Sequence, residues 1–253
     1  MRPTVLAVLL ALALPAAAVA VPDSHAVPSY VTAAMNDPAR GADRNDDARR
    51  QMAAVLAFSE VKPGDKVLEL VPGSGYWTRV LSGIVGPRGH VYTVWPREMM
   101  PHLEKGFALW NKLVATPHYA NVSMIEPPLA QLGAPDRMDL VFTVQNYHDF
   151  HDVLDPAGVA RLDRQIYDAL RPGGLFVIVD HVAPAGSGLA DTDTLHRIDP
   201  ETVKKEVEAA GFVFDGASDV LRNPADPHTV RIFDPSIRGH TDQFVFRFRK
   251  PVK

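Results

Sequence analysis

The densest group of reactive side chains follows a short apolar run, Asp139 to Val144, and reads Gln145-Asn146-Tyr147-His148-Asp149-Phe150-His151-Asp152. His148 beside Asp149 suits general base catalysis, with the imidazole taking a proton and the carboxylate orienting it, and Tyr147 adds a third titratable group. A second pair, Asp180-His181, closes a later apolar run, Leu175 to Val182. Side chains at the carboxyl ends of neighbouring buried strands share one edge of a sheet, so the two groups are expected to face one another across a ligand. Residues of these types also cap helices or bond within loops, which is about as good a reading for any one of them. Oxygen-rich groups from both exits could hold Mg²⁺ or Ca²⁺. No close-spaced ligand motif supports an ion, however, and no metal ligand is assigned. His196, Arg197, His228, Arg231, Asp234 and Arg238 fall in segments expected over the same edge. Arg231 or Arg238 could hold a substrate carboxylate bidentately, against the plainer reading of a loop tied by its own Arg–Asp pairs.

The elements that would position these groups alternate. Lys66 to Val71, His90 to Trp95, Val122 to Glu126, Asp139 to Val144 and Leu175 to Val182 are short and rich in Val, Leu and Ile, as buried parallel strands are. Trp77 to Val85, Met99 to Val114 and Ala157 to Leu170 suit helices between them. Such alternation predicts an α/β fold, a doubly wound, mostly parallel sheet covered on both faces. The end of the chain breaks the rhythm: a charged helix at Glu201 to Ala210, then strand-like Phe212 to Val220 and Gln243 to Arg249, expected to pair antiparallel and complete seven strands. Phe244, Phe246 and Phe248 read as one buried strand face, and Trp77, Trp95 and Trp110 as core or ligand-stacking residues. Upstream, a helix is expected from an N-cap at Asp47 through Met52, Val55, Leu56 and Phe58, ending at Lys62-Pro63-Gly64.

The first strand runs into a glycine turn, Glu69-Leu70-Val71-Pro72-Gly73-Ser74-Gly75-Tyr76-Trp77-Thr78. A phosphate-cradling loop would need Lys and then Ser or Thr after the last glycine, and a dinucleotide turn a third glycine where Thr78 stands. Neither phosphate reading fits. Gly73 and Gly75 instead let backbone approach a ligand closely.

The ends of the chain bound its setting. Met1 to Ala20 carries one charge, an apolar run from Val5 to Leu14 and small residues at Ala18-Val19-Ala20, the pattern of a secretory signal peptide. Residues 21–47 read as an irregular arm, and 48–253 as one domain. An exported chain of this kind is expected in a periplasm or outside the cell. The absence of cysteine among 253 residues excludes a disulfide framework, a cysteine nucleophile and a thiolate metal site. A net charge of −4 gives no general attraction to nucleic acid or anionic lipid, and no apolar stretch is long enough for stable membrane insertion.

Glu69 to Tyr76 resembles the S-adenosylmethionine (SAM) motif of class I methyltransferases. Leu170-Arg171-Pro172-Gly173-Gly174 resembles that family's turn into its fifth strand, and the closing helix and strand pair resemble its ending. More narrowly, Asn146-Tyr147-His148-Asp149, Arg222-Asn223-Pro224 and Phe233 to Gly239 resemble predicted methyltransferases that carry export signals. The resemblance implies a Rossmann-like domain with SAM as cofactor, held by Glu69, Pro72, Gly73, Ser74, Gly75 and Tyr76, then by Trp95, Glu126 and Asn146. Glu69 would orient the methionine end, with Gly73 and Gly75 beneath it. Catalysis would fall to Tyr147, His148 and Asp149, on a small-molecule methyl acceptor. The chain departs from the family at Val71, where the glycine run commonly starts, and at Trp95, where an acid commonly meets the ribose hydroxyls. A competing reading keeps the fold without catalysis, as an exported binding protein for another ligand.

Overall fold

The computed structural model describes residues 26–252, so the leader expected at Met1–Ala20 lies outside the described residues. Its strands are β1 (Lys66–Leu70), β2 (His90–Val94), β3 (Val122–Ile125), β4 (Met138–Val144), β5 (Leu170–His181), β6 (Val213–Ser218) and β7 (Gln243–Arg249). Its helices are α1 (Ser29–Met35), α2 (Met52–Phe58), α3 (Tyr76–Val85), α4 (Met100–Val114), α5 (Tyr147–Val153), α6 (Pro156–Ala169), α7 (Thr192–Leu195) and α8 (Pro200–Ala209). Seven strands form one sheet in the order β3-β2-β1-β4-β5-β7-β6. The first five run parallel, and β7 lies antiparallel between β5 and β6. Strand order therefore reverses between β1 and β4, the place where such sheets leave a crevice.

Alternation along each strand splits the core in two. Val67, Leu140, Phe142, Val177 and Val245 face one layer with α2 and α3, while Leu68, Val141, Phe176, Ile178, Phe246 and Phe248 face the other with α6 and α8. Both sheet faces are thus buried, which is why the strands read as apolar runs without a polar side. Local signals set the helix starts. Asp155 accepts the Gly158 N–H at 2.6 Å and Asp199 the Glu201 N–H at 3.0 Å, each followed by a proline at the first helical position.

Two expectations are corrected here, and one further helix emerges. The arm contains α1, whose Val31 and Ala34 pack into the core against α3. Asp47 does not cap α2, because its carboxylate is taken by Arg40 at 2.6 and 2.7 Å and by the Tyr76 hydroxyl at 2.7 Å; Gln51 stands at that cap with a left-handed backbone. The polar run after β4 is itself α5: Tyr147 and Phe150, one helical turn apart, are buried and pull it down onto the sheet.

Candidate functional site

The turn after β1 is strained at Val71. Its φ is +50°, which a β-branched residue rarely adopts and where the related pattern has glycine. Two bonds hold it: the Val71 N–H donates to Val94 O at 3.0 Å, and the Asn146 amide donates to Val71 O at 3.3 Å and to Val144 O at 2.7 Å. Asn146 thereby ties the exits of β1 and β4 together. Gln145, φ +62°, bends the β4 exit in the same way.

Between those exits opens a cavity of about 200 Å³, lined by Glu69, Leu70, Val71, Pro72, Gly73, Ser74, Tyr76 and Trp77 from the first turn, by Phe142, Val144, Gln145 and Asn146 from β4, and by Arg50. Gly73, φ +59°, has open space where a side chain would begin, with no atom within 4 Å. Gly75 serves packing instead, since a Cβ there would meet Leu113 Cδ1 at 2.7 Å. Glu69 is buried at the amino end of α3, where Thr78 Oγ1 donates to its carboxylate at 2.6 Å. Burial outweighs that bond and pushes its carboxyl up to about 7.

Two donors on the cavity wall have no partner. The Trp77 indole N–H and the Arg50 Nε are buried and unbonded among the described residues. Arg50 stacks over Tyr76 at 4.6 Å and forms no ion pair among the described residues. Orphaned buried donors are costly unless a ligand completes them. With the open cradle at Gly73 and the acid at Glu69, they fit the amino-acid tail of SAM, whose carboxylate and ammonium need those partners.

The adenosine side is built differently from the resemblance. Trp95 is wholly buried against Phe107 and Trp110, with ring centroids 4.9 and 5.6 Å away, and lines no part of this cavity. Glu126 is exposed, and only its backbone carbonyl is engaged, by Arg97 Nε at 2.9 Å. Glu98 folds back to accept the Leu129 N–H at 2.9 Å.

The expected catalytic group is divided. Tyr147 is fully buried, its hydroxyl donating to Asp163 at 2.8 Å, away from the cavity. His148 does meet Asp180 across the edge: its Nδ1 lies 2.8 Å from Asp180 Oδ1, and its backbone N–H donates to Oδ2 at 2.9 Å. Its Nε2 lies 3.1 Å from Asp149. Burial alone would lower this imidazole, but the two carboxylates push it up to about 10, so it carries both protons. In this arrangement it has no lone pair to offer as a base. His181 is the reverse case, taken down to about 4 by burial, with Nδ1 2.7 Å from the Thr241 hydroxyl.

A second cavity, about 450 Å³, adjoins the first through Arg50 and Gln145 and is lined also by Arg49, His181, Ile232, Phe233, Arg238, Gly239 and Thr241. Its charged lining is cationic, with no acid. Arg231 is not in it, being held 3.0 Å from His196 Nε2. A further cleft near Asp136 and Asp168 lies at the amino ends of the strands, remote from both. Sequence reasoning missed Arg50, which gives no local sign of reaching the cavity. It also missed the meeting of His196 with Asp149, residues far apart in the chain.

Comparison with known proteins shows what the chain resembles. A protein-family model, protein-L-isoaspartate(D-aspartate) O-methyltransferase, matches residues 14–125. A protein-L-isoaspartate O-methyltransferase of Ignicoccus hospitalis is 43% identical over 63 residues, 25% of this chain and 28% of the relative. A ubiquinone/menaquinone biosynthesis C-methyltransferase of Ectopseudomonas mendocina is 27% identical over 193 residues, 74% of this chain and 64% of the relative. The chain thus spans less than two thirds of the length of either curated relative. Among solved structures, a SAM-dependent methyltransferase from Aquifex aeolicus superposes with a TM-score of 0.57 at 16% identity, covering 88% of this chain and 98% of that one. Strand order, the glycine turn and these matches converge: over residues 14–125 the chain is similar to protein-L-isoaspartate O-methyltransferases, and its fold is that of SAM-dependent methyltransferases.

Proposed function

We propose that this protein transfers a methyl group from SAM to a small anionic molecule. The observation that carries the reading is the junction of two cavities at Arg50 and Gln145, one fitted to the donor's amino-acid tail and the other lined by arginines without an acid. SAM bound here supplies a methyl group already activated by the sulfonium. The protein's part is alignment, the largest contribution available to an in-line displacement. Glu69 and the Gly73 backbone hold the tail, Asn146 fixes the two strand exits, and Arg50 with Arg238 draws the acceptor's carboxylate or phosphate to the junction. The composition of Met1–Ala20 supports placing this chemistry outside the cytoplasm.

The test is incubation of the protein with SAM and a panel of small carboxylates and phosphates, read by mass spectrometry for S-adenosylhomocysteine and a methylated product. Formation of both together supports the reading, and SAM binding without turnover on any anion removes it. Trp95 favours one alternative, a binding protein that keeps the fold, because no carboxylate at the β2 exit awaits a ribose. A different small molecule co-purifying with the protein, in place of an adenosyl compound, would support that alternative.

A further inference from the structure

We propose that His148, Asp149 and His196 form a binding site for a divalent transition-metal ion of the zinc class, beside the acceptor cavity and independent of whether methyl transfer occurs there. One donor atom from each of the three residues lies within 4.8 Å of the others. His148 Nε2 stands 3.1 Å from Asp149 Oδ1, and His196 Nδ1 stands 3.5 Å from that same oxygen. Donors bound about 2.1 Å from a common ion, at tetrahedral or octahedral angles, sit about 3.0–3.4 Å apart. The two spacings to Asp149 Oδ1 fall at or close to that range.

The surroundings are those of a ligand set rather than a chance cluster. His148 Nδ1 is bound to Asp180, a fully buried carboxylate that is itself fixed by the backbone N–H groups of His148 and His181 at 2.9 and 2.8 Å. A carboxylate behind a ligating imidazole sets the tautomer and turns the far nitrogen's lone pair toward the ion. His196 occupies the carboxyl end of α7 with φ 54° and ψ 52°. Glycine or asparagine is usual in that conformation, and a histidine held there is strain kept for the direction it gives the ring. Phe233 closes one side, its ring 5.1 Å from that of His196.

Two imidazoles and one carboxylate select a borderline cation over Mg²⁺ or Ca²⁺, which take oxygen donors. Three protein ligands leave at least one position for water or an acceptor oxygen. Binding requires a free lone pair on His148 Nε2 in place of its contact with Asp149. It also changes His196: Arg231 donates to Nε2 at 3.0 Å, so a metal on Nδ1 requires the proton to move to Nε2 and the exposed Arg231 to swing away. Arg231 therefore competes with the ion.

The full chain, stripped with chelator, is titrated with Co²⁺ and followed by d–d absorption, then by displacement with Zn²⁺. The expected result is one ion per chain, with affinity lowered at least about tenfold in both His196→Ala and Asp149→Asn, which replace partly exposed side chains and leave the core intact. Arg231→Ala should bind more tightly than the native chain. Absence of stoichiometric binding, or native affinity in both His196→Ala and Asp149→Asn with unchanged circular dichroism, overturns the site. Weaker binding by Arg231→Ala would overturn the assignment of Nδ1 as the ligand atom.

Discussion

Gly106 of α4 lies directly against the backbone of Gly73: a Cβ built on Gly106 would stand 3.1 Å from the Gly73 carbonyl carbon and 3.2 Å from its oxygen. The ligand turn is therefore seated from one side by a helix, and its other side is open to the cavity. Gly106→Ala gains helix propensity of about 1 kcal/mol while pressing on the turn. Calorimetric titration should show SAM affinity falling while the thermal midpoint changes little, because α4 gains what the turn loses.

Glu69 gives a pH signature with a defined sign. Its carboxyl rises from 4.5 to about 7 on folding, so the neutral form is favoured in the native state. The associated stability is full below pH 4.5 and is lost as pH rises to about 7, a change of about 3 kcal/mol. Urea unfolding across that window should show the decline in the native chain and a flatter curve in Glu69→Gln. SAM binding should move the other way, strengthening as Glu69 ionises and meets a cationic ligand, and that gain should be missing in the variant.

Tyr147 separates structure from chemistry. Removing its hydroxyl strands Asp163, a buried carboxyl already raised to about 8 by burial. Tyr147→Phe should cost about 1–3 kcal/mol of stability by denaturant unfolding. SAM affinity at a temperature where the variant stays folded should be native.

Trp95 and Glu126 should part company in the same assays. Trp95→Ala empties a fully buried site and should cost about 3–5 kcal/mol. Glu126→Ala, on an exposed side chain, should alter neither stability nor SAM affinity.

Much of this was legible in the sequence because it rests on local patterns. β1 to β4, α3, α4 and α6 announce themselves by apolar runs and by 3.6-residue spacing, and β7 begins and ends where its alternating phenylalanines do. β5 starts earlier than its apolar run, because Leu170 already pairs with Met138, ahead of a register shift between Met138 and Leu140. α5 was hidden by its charge: its apolar signal is only Tyr147, Phe150 and Val153 among acids and histidines. Trp95 departs from the family's pattern in sequence, and its enclosure was not legible there, since it is α4 that brings Phe107 and Trp110 around the indole. Arg50 and His196 reach the site only through tertiary packing, which no local spacing records.

The central claim is that the open face of Gly73 receives the amino-acid tail of SAM. Gly73→Val tests it most directly, because Gly73 lines the cavity and a Cβ there would meet no protein atom within 4 Å, although φ +59° adds about 1–2 kcal/mol of backbone strain. Titration calorimetry of the native chain with SAM should give saturable one-to-one binding. The variant, folded by circular dichroism, should show none at millimolar ligand. Equal affinity in the two proteins, or no heat from either, would contradict the account.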